Sequence, residues 1–225
     1  MRYLPLLLVL TAACSSGSSA PKAADPTPTT VTTDPFDAIE PPSSPGVGAF
    51  SGILANRAYA ATRGYLALEL LEAASITGAN NAALVEQLQG ATGDLTIKAD
   101  LGGAPTRRGL DYRPLFPRGA SVPKPVGTVS ASTYTADEVR GLAGEQGLRV
   151  TWTGTVTYPV TLGGKTSPVA YTTTMSYIFS TIPNDPGGLV MQQVVKGKAS
   201  FTGVIDSCVT KGLLYPGAAG ASCPV

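Results

Sequence analysis

Five cationic side chains fall within eighteen residues, Arg107, Arg108, Arg113, Arg118 and Lys124, opposed only by Asp111 and interleaved with Tyr112 and Phe116. Guanidinium and ammonium groups at that density form a candidate anion patch, fit to hold lipid headgroups or the charged groups of a wall polymer. The competing reading is a solvated, proline-rich loop whose charges face water. A second constellation is smaller. At about 100° per residue, Arg57 and Glu72 share a helix face with Phe50, Ala61 and Leu68. A pocket between that helix and a sheet carrying Trp152 and Tyr177 would then contain a polar pair able to orient an anionic ligand. The alternative places both side chains at the rim, their stems laid over apolar neighbours and their charges in solvent.

Other chemistry is thin. The chain has no histidine, which excludes histidine-dependent triads, imidazole metal sites and imidazole acid/base catalysis. Ser121-Val122-Pro123-Lys124 has the S-x-x-K spacing in which one helical turn brings a lysine amine onto a serine hydroxyl. Gly119, Pro123 and Pro125 rule out a helix there. No G-x-S-x-G, phosphate-binding loop or dinucleotide fingerprint occurs. Asp111, Tyr112 and Asp206 are the acid/base candidates, and each falls where a solvated loop or turn is expected. The expected catalytic residues, metal ligands and cofactors are therefore none. Over residues 46–225, fourteen bases face eleven acids, too even a balance to call for nucleic acid.

The elements that must position these residues follow from hydrophobic period. From Phe50 to about Ser75 the chain is rich in Ala and Leu and free of proline, with Phe50, Leu54, Ala58, Ala61, Tyr65 and Leu68 recurring every three or four residues. That spacing predicts a long helix with those residues on its main apolar face and with Leu66 and Leu70 pointing elsewhere. A short helix is expected over 81–89, with Leu84 and Leu88 inward and Gly90 as its stop. Leu95, Ile97, Ala99 and Leu101 alternate with polar residues and predict a strand. Thr135-Ala136-Asp137-Glu138 reads as a capping box opening a further short helix.

Three long alternating segments follow, at about 148–160, 169–180 and 189–201, separated by Gly163-Gly164 and by the turn residues 184–188. They predict an antiparallel meander. Val150, Trp152, Val156, Tyr158 and Val160 fall on one face, as do Val169, Tyr171, Met175, Tyr177 and Phe179, while rows of Thr and Ser fall on the other. The aromatic face needs a cover, and the long helix is the available one. The expected fold class is α+β, a long N-terminal helix and short helices on a curved antiparallel sheet that ends in a three-strand meander.

The N-terminus reads as an export signal. Arg2 precedes an apolar run from Leu4 to Leu10, and small residues lead to Cys14. The run is far shorter than the roughly 20 residues that cross a bilayer. Residues 15–45 then contain eighteen Ser, Thr or Pro, a composition that cannot bury enough surface to offset chain entropy. The expected organisation is a signal peptide over 1–13, a disordered stalk over 14–45 and one α+β domain over 46–225.

Thr11-Ala12-Ala13-Cys14 resembles the lipobox of bacterial lipoproteins, with Thr11 standing where that family prefers Leu or Val. The resemblance implies that Cys14 becomes diacylglyceryl-modified and anchors the chain to the extracytoplasmic face of the cell membrane. With Cys14 so assigned, Cys208 and Cys223 remain, and in an oxidising compartment they are expected to pair. Lipobox, stalk and Ala/Gly/Pro/Thr-rich style together resemble uncharacterised actinobacterial lipoproteins. The order of helix, short helix and long antiparallel strands resembles the cystatin-like and NTF2-like folds. The function expected is a non-enzymatic module that binds a protein, a wall polymer or a small molecule. The alternative is a small NTF2-like enzyme using a carboxylate or tyrosine in an apolar pocket.

Overall fold

Alternation of threonine with aromatic and aliphatic residues along a strand leaves one parity able to face a core, and burial of the aromatic parity gains far more free energy. That choice organises the computed structural model, which describes residues 34–78, 82–92, 95–141 and 144–224. The described residues lie in one compact unit, Thr33–Val225. The signal-peptide and Cys14 assignments lie outside them.

In chain order, a 3-10 turn at Asp37–Ile39 leads to a two-residue ladder, β1 (Gly46–Val47) with β2 (Phe50–Ser51). Helix α1 (Gly52–Leu66) runs into a π-helical turn, Ala67–Leu71, followed by α2 (Ala73–Ile76), α3 (Ala82–Thr92) and α4 (Leu95–Leu101). The strands are β3 (Thr128–Arg140), β4 (Gln146–Leu162), β5 (Lys165–Ile182), β6 (Asp185–Lys196) and β7 (Ser200–Thr202), and α5 (Asp206–Val209) closes the series. The sheet is antiparallel in the order β3-β4-β5-β6, with β7 pairing the N-terminal half of β5. Helices and an antiparallel sheet in this arrangement make the fold α+β. Cys208 and Cys223 form a disulfide across a Cα–Cα distance of 5.1 Å.

The covered face of the sheet carries Val150, Trp152, Val156, Tyr158, Val169, Tyr171, Met175 and Tyr177, all fully buried. Helix α1 packs on β4 and β6, and α3 on β6. On the other face, hydroxyls pair across β4 and β5, Thr153 with Thr174 at 3.0 Å and Thr155 with Thr172 at 2.7 Å. The sheet is also bonded to its cover. Tyr134, Tyr158 and Tyr171 donate their hydroxyls to the carbonyls of Ile39, Leu70 and Leu110, at 2.8, 2.8 and 2.9 Å. Burying a phenol requires such an acceptor.

Several expectations need correction. The helix expected from Phe50 to Ser75 is divided into α1, the π-helical turn and α2, broken at Glu72, whose backbone is extended. Of the expected face, Phe50, Leu54 and Ala58 are buried, whereas Ala61 is exposed and Tyr65 and Leu68 are half-buried; the buried face continues instead through Ala55, Tyr59, Thr62, Leu66, Glu69 and Leu70. The C-terminal part of the face was misplaced because its inward positions include a threonine and a glutamate. Residues 95–101 form a helix, not a strand: Ile97 and Leu101, four apart, are both buried while Ala99 between them is exposed, a spacing that fits period 3.6 and not period two. Residues 135–138 are strand, not helix: Asp137 meets Arg149 of β4 in a two-pronged ion pair, Nε to Oδ1 at 2.9 Å and Nη2 to Oδ2 at 2.5 Å.

The fold also begins earlier than residue 46. Ile39 is buried, and Arg63 bonds Glu40 at 2.5 Å while its guanidinium stacks 3.7 Å from the Phe36 ring centroid. Residues 34–45, expected to be unfolded, thus belong to the folded unit. The pattern of Ser and Pro hid this because only a few side chains, Pro35 and Ile39 among them, are buried.

Candidate functional site

Two charged side chains are buried among the described residues, Arg113 and Glu69. Each lacks a counter-charge, and they occupy different surroundings.

Arg113 follows the 3-10 turn Gly109–Asp111, donating its backbone N–H to the Gly109 carbonyl at 3.3 Å. Pro114 follows that turn, and Leu115 and Phe116 lie in neither helix nor strand. The segment is held from both sides. Phe116 donates its N–H to the Ile76 carbonyl at 2.7 Å, and Leu214 donates to the Leu115 carbonyl at 2.8 Å. Between this segment, the chain after α4 and Leu213 lies a cleft of about 680 Å³, within the range that holds a small organic ligand. Leu101, Leu115, Phe116 and Leu213 supply apolar wall, Arg113 lies in the lining, and Arg118 is exposed at the rim.

The charge balance around the cleft leaves one group over. Asp100, also in the lining, is bonded to Lys196 at 2.6 Å, and that ammonium sits 3.7 Å from the Tyr112 ring centroid. Asp111 is bonded to Arg107 at 2.7 Å. Arg113, only 2% exposed, has no carboxylate partner among the described residues, and its Nε and Nη1 have no hydrogen-bond partner. Burial lowers its pKa to about 10, which leaves the guanidinium charged at neutral pH.

Glu69 lies in the π-helical turn, and π-turns inside helices recur at functional positions. It is fully buried. Tyr177 donates its hydroxyl to Glu69 Oε2 at 2.7 Å, while Oε1 has no partner. Burial pushes the Glu69 carboxyl up to about 8, against the smaller lowering effect of the Tyr177 hydrogen bond. Tyr65 stacks on Tyr177, ring centroids 5.6 Å apart. Thr62 on the same helix face has an unpartnered hydroxyl. The pair has the composition of an acid with a phenolic donor, but it is enclosed by core.

The expected site residues are largely dispersed. Trp152 and Tyr177 are core, not pocket lining; Trp152 lies over Gly154, where a Cβ would fall 2.3 Å from its ring. Arg57 is exposed and donates to the Gly187 carbonyl at the start of β6. Glu72 caps α2, accepting from the Ala74 N–H at 3.4 Å, and does not meet Arg57. The expected anion patch is broken up: Arg107 is ion-paired, Arg108 exposed, and Lys124 exposed beside a different groove that Glu72 also lines. Only Arg113 and Arg118 share the cleft. Sequence reasoning missed Glu69, although its place in the series Ala55, Tyr59, Thr62, Leu66, Glu69 was a usable signal.

Among the described residues no helix is long and apolar enough to cross a membrane, and no group of His, Cys, Asp and Glu could hold a metal ion. No protein-family model, curated protein or solved structure matches the chain.

Proposed function

We propose that the protein is an exported bacterial lipoprotein, held on the outer face of the cytoplasmic membrane by a diacylglyceryl-modified Cys14, whose folded domain binds a ligand without transforming it. The observation that carries the binding half is a separation. The cation Arg113, without a counter-charge, lies in a cleft, and the acid Glu69, likewise without one, lies in the core. Acid/base catalysis needs its proton donor or acceptor within hydrogen-bond reach of a substrate. Glu69 and Tyr177 are both sealed, and the cleft's Asp100 is engaged by Lys196.

The anchoring half rests on Thr11-Ala12-Ala13-Cys14 and on the Ser/Thr/Pro-rich stretch after it, which we now end at residue 33 because the fold begins at Asp34. A small NTF2-like enzyme is the second reading, favoured by the 2.7 Å contact of Tyr177 with Glu69. What supports an NTF2-like or cystatin-like cone is the order of helix, short helices and meander. The register shifts at Ser130/Thr133 and Ile178/Phe179 add to it, since bulges bend strands.

Metabolic labelling with a fatty-acid probe tests the anchor. Wild type should carry label and Cys14→Ser should not; equal labelling of the two would remove the lipoprotein assignment.

A further inference from the structure

A buried carboxylic acid can shed its charge by taking a proton, whereas a guanidinium at neutral pH cannot. Arg113 therefore needs a counter-charge from outside the fold, because the nearby carboxylates Asp100 and Asp111 are already bonded to Lys196 and Arg107. Burying an ion without a partner is otherwise strongly unfavourable. We propose that Arg113 anchors a binding site for a singly charged organic oxyanion, a carboxylate carried on an apolar body, seated in the cleft between Phe116 and Leu213. The proposal rests on reading the domain as a binding module and names the ligand class of that module.

Three features choose this class. One buried guanidinium neutralises one charge, and with Asp100 and Lys196 cancelling each other a dianion such as phosphate would bring a second charge that no buried cation meets. The Leu101, Leu115, Phe116 and Leu213 walls favour a ligand with apolar surface to bury. Arg118, exposed at the rim, adds attraction that salt would screen, while the buried contact to Arg113 would be screened much less.

The test is calorimetric titration of the full chain with three probes: 2-naphthoate, its neutral counterpart 2-naphthamide, and inorganic phosphate. Naphthoate should bind at least about tenfold more tightly than either other probe, as expected for a charge-assisted contact in a desolvated site. Arg113→Met should bring naphthoate down to the level of naphthamide, and Arg118→Ala should weaken it by only about twofold to fivefold, the effect of an exposed charge. Circular dichroism on each variant confirms folding. Should Arg113→Met fail to fold, Arg113→Lys replaces it, expected to weaken naphthoate while sparing naphthamide, since a point charge replaces a planar fork. Naphthoate and naphthamide binding alike, phosphate binding as tightly as naphthoate, or naphthoate undiminished by the Arg113 substitution would each overturn the site. None of those outcomes touches the fatty-acid labelling of Cys14, so the two proposals fail separately.

Discussion

The core beneath β4 and β5 and the cleft lined by Phe116 and Leu213 face the same difficulty, an ionisable group removed from water without an opposite charge, and resolve it differently. Glu69 is enclosed by the aromatic face of the sheet and held by Tyr177, and a neutral acid suffices there. Arg113 stays charged, and it is placed where a molecule from outside can reach the lining. The difference teaches that burial alone does not mark a functional site. What matters is whether the buried group can be neutralised by the protein itself or needs a partner.

The sharpest way to break the comparison is to open the core. Trp152 faces Met175 across the ladder, and Met175 Sδ lies 3.6 Å from the Tyr177 hydroxyl. Trp152→Ala should lower unfolding stability by about 3–5 kcal/mol in chemical denaturation, whereas Thr153→Ala on the wet face should cost under about 1 kcal/mol. Equal losses would mean that the aromatic parity is not the seal, and the contrast between closed core and open cleft would go with it.

The parity of β4 and β5 was legible because period two leaves no third choice: Trp152, Tyr158 and Tyr177 had to be inside together. Helical phase was less legible. A face assigned from apolar residues alone skipped Thr62 and Glu69, and this rotated the helix enough to put Ala61 inward and Leu66 outward. Thr135 to Glu138 carries a local helix signal that tertiary pairing with β4 overrides, as propensity commonly yields to context. Of the site, the cationic character of residues 107–124 could be read. Which cation lacked a partner could not, because the partners Lys196 and Asp100 are separated by ninety-six residues and meet only in the fold.

A second test sharpens the acid's side. The Glu69 carboxyl is raised from 4.5 to about 8 in the folded chain. Between those values the folded state holds a proton that the unfolded state releases, so stability falls as pH rises through this window and levels off above about 8. At roughly 1.4 kcal/mol per unit of displacement, Glu69 should cost the protein on the order of 3 kcal/mol between pH 5 and pH 8. Denaturation of the parent and of Glu69→Gln at both pH values measures it. The parent's excess pH-dependent loss over the variant should be of that size, and parallel curves would show that water already reaches the carboxylate.

The smallest expected effect belongs to Arg113, and its form distinguishes the two regions. Burial lowers this guanidinium from 12.5 to about 10, so folded and unfolded chains both carry its charge from pH 5 to pH 8. Its cost is therefore constant across the range in which that of Glu69 changes. Replacing an unpaired buried ion by an apolar side chain of similar length removes desolvation and leaves no group behind. Arg113→Met, unfolded in denaturant without added anion, should be more stable than the parent by about 1 kcal/mol at both pH values. Saturating 2-naphthoate should then stabilise the parent and not the variant, since a ligand adds stability only to the state that binds it. Destabilisation of Arg113→Met by several kcal/mol in the absence of anion would mean that the guanidinium already has its counter-charge within the chain, and the cleft would lose its reason to bind one.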